Sequence, residues 1–204
     1  MASQSVCISH STGAGGEAVG RAVAERLGFL YVDDEVIAEA AEWAELDPAL
    51  VADAEHRKPL VARLLGQAGG KASPVRLPTG ESVRTLPTDA DLRTIITDAI
   101  RSVADRGSVV IVAHAASFAL AGSNVLRVFV TASAETRTRR TAAATGFDER
   151  GAAKLVREED RSRADYLRRF YAIDSELPIH FDVVINTDVL APEKAADVIA
   201  LAAS

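Results

Sequence analysis

Apolar residues along the chain come in short unbroken runs, separated by stretches in which they recur every three or four positions. That is the pattern of buried strands alternating with amphipathic helices. Residues 5–9 form the first run, and Val19, Val23 and Leu27 then fall at four-residue spacing through a predicted helix over 16–27 that Gly28 ends. Phe29-Leu30-Tyr31-Val32 is a second short strand with Asp33 and Asp34 at its carboxyl end, and a further helix follows over 35–45. Asp47 and Pro48 open a short helix to about residue 55, and residues 59–65 read as one more.

Residues 66–89 break the pattern with four glycines, three prolines and scattered cations at Lys71, Arg76 and Arg84, which reads as a mobile loop or lid. Helical spacing returns at Leu92, Ile95, Ile96, Ala99, Ile100 and Val103, after a start signal at Thr88 and Asp89. Val109-Val110-Ile111-Val112 and Leu126-Arg127-Val128-Phe129-Val130 are the third and fourth strands, and Phe181-Asp182-Val183-Val184-Ile185 is the fifth. A long helical region is expected over 134–171 and a closing helix over 192–203. Strands alternating with helices predict an α/β fold: a three-layer, open, mainly parallel five-stranded sheet flanked by helices, in one domain over 1–204. Ligands of such sheets bind beyond the carboxyl ends of the strands.

Composition narrows the function classes. With 48% hydrophobic residues in 204, the chain can bury a sizeable core. No apolar run approaches the roughly 20 residues that span a bilayer, and residues 1–5 lack a cationic head, so the expectation is a cytoplasmic protein. The single cysteine, Cys7, excludes a disulfide framework and cysteine-based zinc sites, and its place in an apolar strand makes it a small buried side chain. A net charge of −6 argues against general affinity for nucleic acid or anionic membranes. The charge is uneven: residues 137–169 carry net +4, the remainder −10.

Candidate chemistry collects at the strand ends. After the first strand comes Ser9-His10-Ser11-Thr12-Gly13-Ala14-Gly15-Gly16-Glu17, a glycine-rich loop opening a helix, where freed backbone N–H groups can hold phosphate. Against the P-loop pattern G-x-x-x-x-G-K-[ST], His10, Gly16 and Glu17 stand at the first glycine, the lysine and the hydroxyl residue; only Gly15 matches. The loop also fits G-x-G-x-x-A for dinucleotides as Gly13, Gly15 and Ala18, with Asp33 as ribose acceptor, or a plain structural turn. The four residues Ser9 to Thr12 before Gly13 favour a phosphate-wrapping excursion.

The second candidate is the helix around Arg157, Arg161, Asp165 and Arg168, which share one face by their spacing. Guanidiniums held by a carboxylate suit a polyphosphate clamp; a solvated face laced with ion pairs has the same spacing. His10 and His114 both fall at strand carboxyl ends, where they could face each other as phosphate donors or acid/base groups, or serve as hydrogen-bonded structural histidines. His56 and His180 lie in surface segments and receive no role.

Taken in order, Ser9 to Gly16, Tyr31-Val32-Asp33-Asp34-Glu35, Val110-Ile111-Val112-Ala113-His114-Ala115, the fourth strand, the Asp160-x-x-Arg163 and Tyr166 helix and Phe181 to Thr187 resemble the cytidylate kinase-like family of P-loop nucleotide kinases, over nearly the whole chain. The resemblance implies Mg²⁺ and ATP as cofactors and phosphoryl transfer to a nucleoside monophosphate, cytidylate-like, or a similar small acceptor. The alternatives are a nucleotide-binding module without turnover, and an NAD(P)-binding protein. Residues 47–90 would then form an acceptor-side insert and 134–171 a helical lid. Ser11, Thr12, Gly13, Ala14, Gly15, Gly16 and Glu17 would form the cofactor loop, with His10, Asp33 and His114 on the substrate. The resemblance makes Arg137, Arg140, Arg161, Asp165 and Arg168 lid contacts, and a second register puts Asp160 and Arg163 in that place. The family often carries arginines where this chain has His10, Glu17 and His114. A carboxylate at the mouth of a phosphate nest must point outward or serve the metal.

Overall fold

A computed structural model describes residues 5–33, 89–113 and 116–204. The helices expected over 35–45, 47–55 and 59–65, the 66–88 stretch, Asp34 and His114 lie outside the described residues. In chain order the elements are β1 (Ser5–His10), α1 (Gly16–Leu27), β2 (Leu30–Val32), α2 (Asp89–Asp105), β3 (Val109–Val112) and α3 (Ala116–Ala119). They continue with β4 (Val125–Thr131), α4 (Ala134–Thr145), α5 (Glu149–Tyr171), a 3₁₀ turn (Pro178–His180), β5 (Val183–Asn186) and α6 (Pro192–Ala203). The five strands form one parallel sheet in the order β2-β3-β1-β4-β5.

β1 lies at the centre, pairing on one side with β3 (Cys7 opposite Ile111) and on the other with β4 (Ile8 opposite Val128). Alternation along it serves two faces. Val6 and Ile8 pack with Val19 and Val23 of α1 and Ile199 of α6, whereas Cys7 packs with Ile100 and Val103 of α2 and Leu120 just past α3. Each fully buried Val or Ile is worth roughly 1.5–3 kcal/mol, so burial on both sides fixes β1 and the loop it feeds. Burial pushes the Cys7 thiol up to about 12, which makes it inert packing.

The helical stretch expected over 134–171 is two helices. Gly146 takes a left-handed φ of 73° and returns its N–H to the carbonyl of Ala142, ending α4, and Asp148 then caps α5 through the N–H of Gly151. Tyr166, Leu167 and Phe170 bury the inner face of α5 beside Phe118. On the solvent side of the sheet's end, Asp182 accepts from Arg127 backbone N–H (2.8 Å), Nε (3.1 Å) and Nη2 (2.8 Å), which holds its carboxyl below the usual carboxylate range.

Candidate functional site: a backbone nest beneath arginines

The loop after β1 is a backbone structure. The N–H of Ser11 donates to Val130 at 3.0 Å, extending the ladder one residue past β1, and the N–H of Ala14 donates to Ser11 at 2.9 Å, closing a turn. Gly13 and Gly15 stand at φ 78° and 80°, a region that other residues enter only with strain. Gly15 is the N-cap of α1 with no side-chain cap, so the orphan N–H groups of the first turn are left for another acceptor. Glu17 is exposed there.

Side chains close around this nest. A Cβ on Gly13 would lie 2.6 Å from the Arg137 carbonyl oxygen and 2.8 Å from Thr141 Oγ1, so α4 runs directly over the loop. Arg140 on that helix donates from Nη1 to the Ala14 carbonyl (3.2 Å) and Thr187 Oγ1 (2.9 Å), and from Nη2 to the Thr187 carbonyl (2.7 Å). The Thr187 hydroxyl donates in turn to the Ala14 carbonyl at 2.7 Å, joining the nest to the end of β5. Asp188 accepts from the N–H and hydroxyl of Ser133, both at 2.9 Å, which fixes the start of α4 to the same place. Ser9, buried, shares a 3.0 Å hydrogen bond with Ser117.

The two arginine registers separate in space. Arg163 is buried and Asp160 half-exposed against the buried Arg137: Arg137 donates Nη1 and Nη2 to the Asp160 carboxylate at 2.8 and 2.5 Å, and Arg163 donates Nε and Nη2 to Glu176 at 2.5 and 2.7 Å. Arg163 also lies 5.8 Å from the Phe129 ring centre, beneath the nest side of the sheet, and its buried Nη1 is without a hydrogen-bond acceptor among the described residues. Arg161, Asp165 and Arg168 do share a helical face, but it is the exposed one, with Arg168 donating to Asp165 at 3.1 Å and to Asp174 at 3.4 Å. Asp33 stands at the carboxyl end of β2, two strands and roughly 10 Å from β1, where it accepts from Arg21 at 3.3 Å.

His10 is the least expected member. Its ring packs over the bare Cα of Gly16: a Cβ there would collide with His10 Cβ and Cγ and come within 2.5 Å of Cδ2. Nδ1 lies 3.3 Å from the Ser11 carbonyl oxygen. Burial first and the Arg163 charge second hold the imidazole below its ordinary range, against weaker opposing effects of Ser11, Glu17 and Glu176. Glu176 carried no signal in the sequence that set it apart from other loop residues, and Thr187 stood only as the last residue of the Phe181 to Thr187 stretch, without a role of its own.

Comparison with known proteins bears on the family and the fold. A cytidylate kinase of Sulfolobus acidocaldarius is 29% identical over 97 residues, 48% of this chain and 53% of that protein. The chain spans about half the length of the curated relatives it matches. Among solved structures, an uncharacterized protein from Eubacterium ventriosum superposes with a TM-score of 0.68 at 19% identity, covering 98% of this chain and 97% of the other. The shikimate kinase of Bacteroides thetaiotaomicron follows at 0.51 and 14% identity, covering 96% and 95%. The expected sheet and its flanking helices are thus the fold of P-loop kinases. The family model for the cytidylate kinase-like family matches residues 5–189, and the chain belongs to that family.

Proposed function

We propose that the chain binds a nucleoside triphosphate, ATP, in the nest of Ser11 to Glu17 and transfers its γ-phosphoryl group to a small acceptor, a nucleoside monophosphate of the cytidylate type. The observation that carries this is the nest itself: two left-handed glycines and an uncapped helix start at the carboxyl end of the central strand. Open N–H groups there suit phosphate oxygens, and Arg140 keeps the loop in shape from α4. Phosphoryl transfer asks little covalent help of a protein, so positioning and charge neutralisation are the chain's task.

Mg²⁺, brought in on the nucleotide, would supply neutralisation of the phosphate charge. Among the described residues no group of three His, Cys, Asp or Glu makes a metal pocket of its own, which suits an ion brought in on the nucleotide. Asp33, at the same edge of the sheet, would face the acceptor, and His114 is placed with it by the family resemblance alone. A binding module without turnover is a second reading, favoured by one observation: the place of the P-loop lysine side chain is taken by His10.

Incubation with ATP, Mg²⁺ and a panel of CMP, dCMP, UMP and AMP separates the two. ADP appearing with one acceptor supports the kinase. Nucleotide binding by thermal shift with no ADP formed supports the module, and a shift with NADP but not ATP sinks both.

A further inference from the structure

Ala14 and Gly15 share one trans peptide plane, in which the carbonyl and the N–H point to opposite sides. The carbonyl side is occupied: it accepts from the Thr187 hydroxyl at 2.7 Å and from Arg140 Nη1 at 3.2 Å. The Gly15 N–H therefore points away from both side chains, and it has no acceptor among the described residues. It joins the uncapped N–H groups of the first turn of α1.

Local backbone preference leaves this plane free to turn over. A flip reverses both groups and carries Gly15 from φ 80° through about 180° to the negative side, which glycine enters as readily. Ala14 stands at a negative φ, where either ψ region is open. Turned over, the plane would set a carbonyl oxygen where the N–H now stands, and its negative end would repel phosphate. The glycines make the nest possible without making it the only outcome.

We propose that Thr187 is a positioning residue for the phosphate site: its hydroxyl holds the Ala14 carbonyl back and so keeps the Gly15 N–H presented to a phosphate oxygen. The assignment rests on the functional reading above and adds to it a residue from just past the edge strand β5. The Thr187 N–H donates to the Thr131 carbonyl at 2.8 Å, which fixes the residue to β4, and its branched Cβ restricts the hydroxyl further. That hydroxyl has one hydrogen to give. The Thr131 carbonyl, 3.2 Å away and already served by the N–H, competes poorly with the Ala14 carbonyl at 2.7 Å. Arg140 donates to the same hydroxyl from Nη1 at 2.9 Å and to the Thr187 carbonyl from Nη2 at 2.7 Å, so the guanidinium takes its own place beside Ala14 from Thr187.

Calorimetry with ADP as the probe, read beside unfolding midpoints, tests this. Thr187→Val, alike in shape but without the hydroxyl, is expected to weaken ADP binding about tenfold, and Thr187→Ser to bind within about twofold of wild type. In isotope-labelled chains followed by NMR, ADP is expected to move the Gly15 amide proton strongly downfield in wild type and Thr187→Ser and much less in Thr187→Val, a difference that lost stability alone does not produce. Thr187→Ala keeps the test in force should the valine variant not fold, with the same losses expected in lesser degree. Wild-type affinity in the folded variant that lacks the hydroxyl, a serine variant as weak as that one, or an unmoved Gly15 amide in ADP-bound wild type overturns the role of Thr187 alone. A wild-type chain that binds neither ADP nor ATP overturns the functional reading together with it.

Discussion

Arg163 donates Nε and Nη2 to the carboxylate of Glu176 at 2.5 and 2.7 Å, and the two side chains are only 9% and 11% exposed. The pair fastens the end of α5 to the segment that leads into β5. Removing one member strands the other's charge in a dry place, so Glu176→Ala should destabilise the fold by about 3–5 kcal/mol. Replacing both by apolar residues should cost far less. Urea unfolding of the single and double variants checks this; equal losses would deny the pair its burial.

Gly13 has no freedom to change. Alanine there combines a φ of 78° with a Cβ 2.6 Å from the Arg137 carbonyl oxygen. Strain of this kind costs about 1–3 kcal/mol, and relieving it displaces the loop from α4. Gly13→Ala should therefore lose nucleotide affinity tenfold or more and lower the unfolding midpoint, both readable in one thermal-shift series with and without ATP.

Arginines of the helical region should divide into two kinds. Arg161→Ala and Arg168→Ala, altering exposed side chains, should leave stability within about 0.5 kcal/mol while turnover falls strongly if these residues close over the transferring group. Arg140→Ala removes its hydrogen bonds to Ala14 and Thr187 and should weaken both the fold and nucleotide binding. Unchanged turnover in the first two variants would return them to a solvated face.

Acid pH should act through His10. Its ordinary value is 6.5 and burial lowers it in the fold, so below that value the unfolded chain takes a proton that the folded chain refuses. Stability is then lost as pH falls from 6.5 toward the lowered value, by up to about 1.4 kcal/mol per pH unit at the steepest. Wild type should lose more than His10→Gln between neutral and mildly acid pH in unfolding experiments without ligand. Parallel curves would place the ring in water.

Much of the fold was legible because it rests on local pattern. The β-branched run Val109 to Val112 and the spacing of Val19 and Val23 point to a strand and a helix before any contact is known. The turn after β1 was legible too, because glycines at 13 and 15 can enter left-handed backbone without strain. What the sequence hides is which charges meet. Residues 157, 161, 165 and 168 form a face by arithmetic, yet arithmetic cannot say that Val156, Arg163 and Leu167 are the side turned to the core. Glu176 is an ordinary loop residue until the fold brings it to Arg163, and Thr187, although it ends the Phe181 to Thr187 stretch, shows no partner until β5 brings it to Ala14. Position 16 reads as a missing lysine, and the structure adds that the packed ring of His10 leaves no room for a side chain there.

Arg140 fastens α4 to the floor of the site through Ala14 and through both the hydroxyl and the carbonyl of Thr187. For α4 to swing outward these bonds must break together, along with those from Ser133 to Asp188. Gly146, just past the helix end, is left-handed and has nothing within 4 Å of the place a Cβ would take among the described residues. If the helical region closes over the nest as a lid, these bonds leave that turn and the outer half of α5 to make the movement, with α4 as the fixed jamb against which the rest of the door hangs.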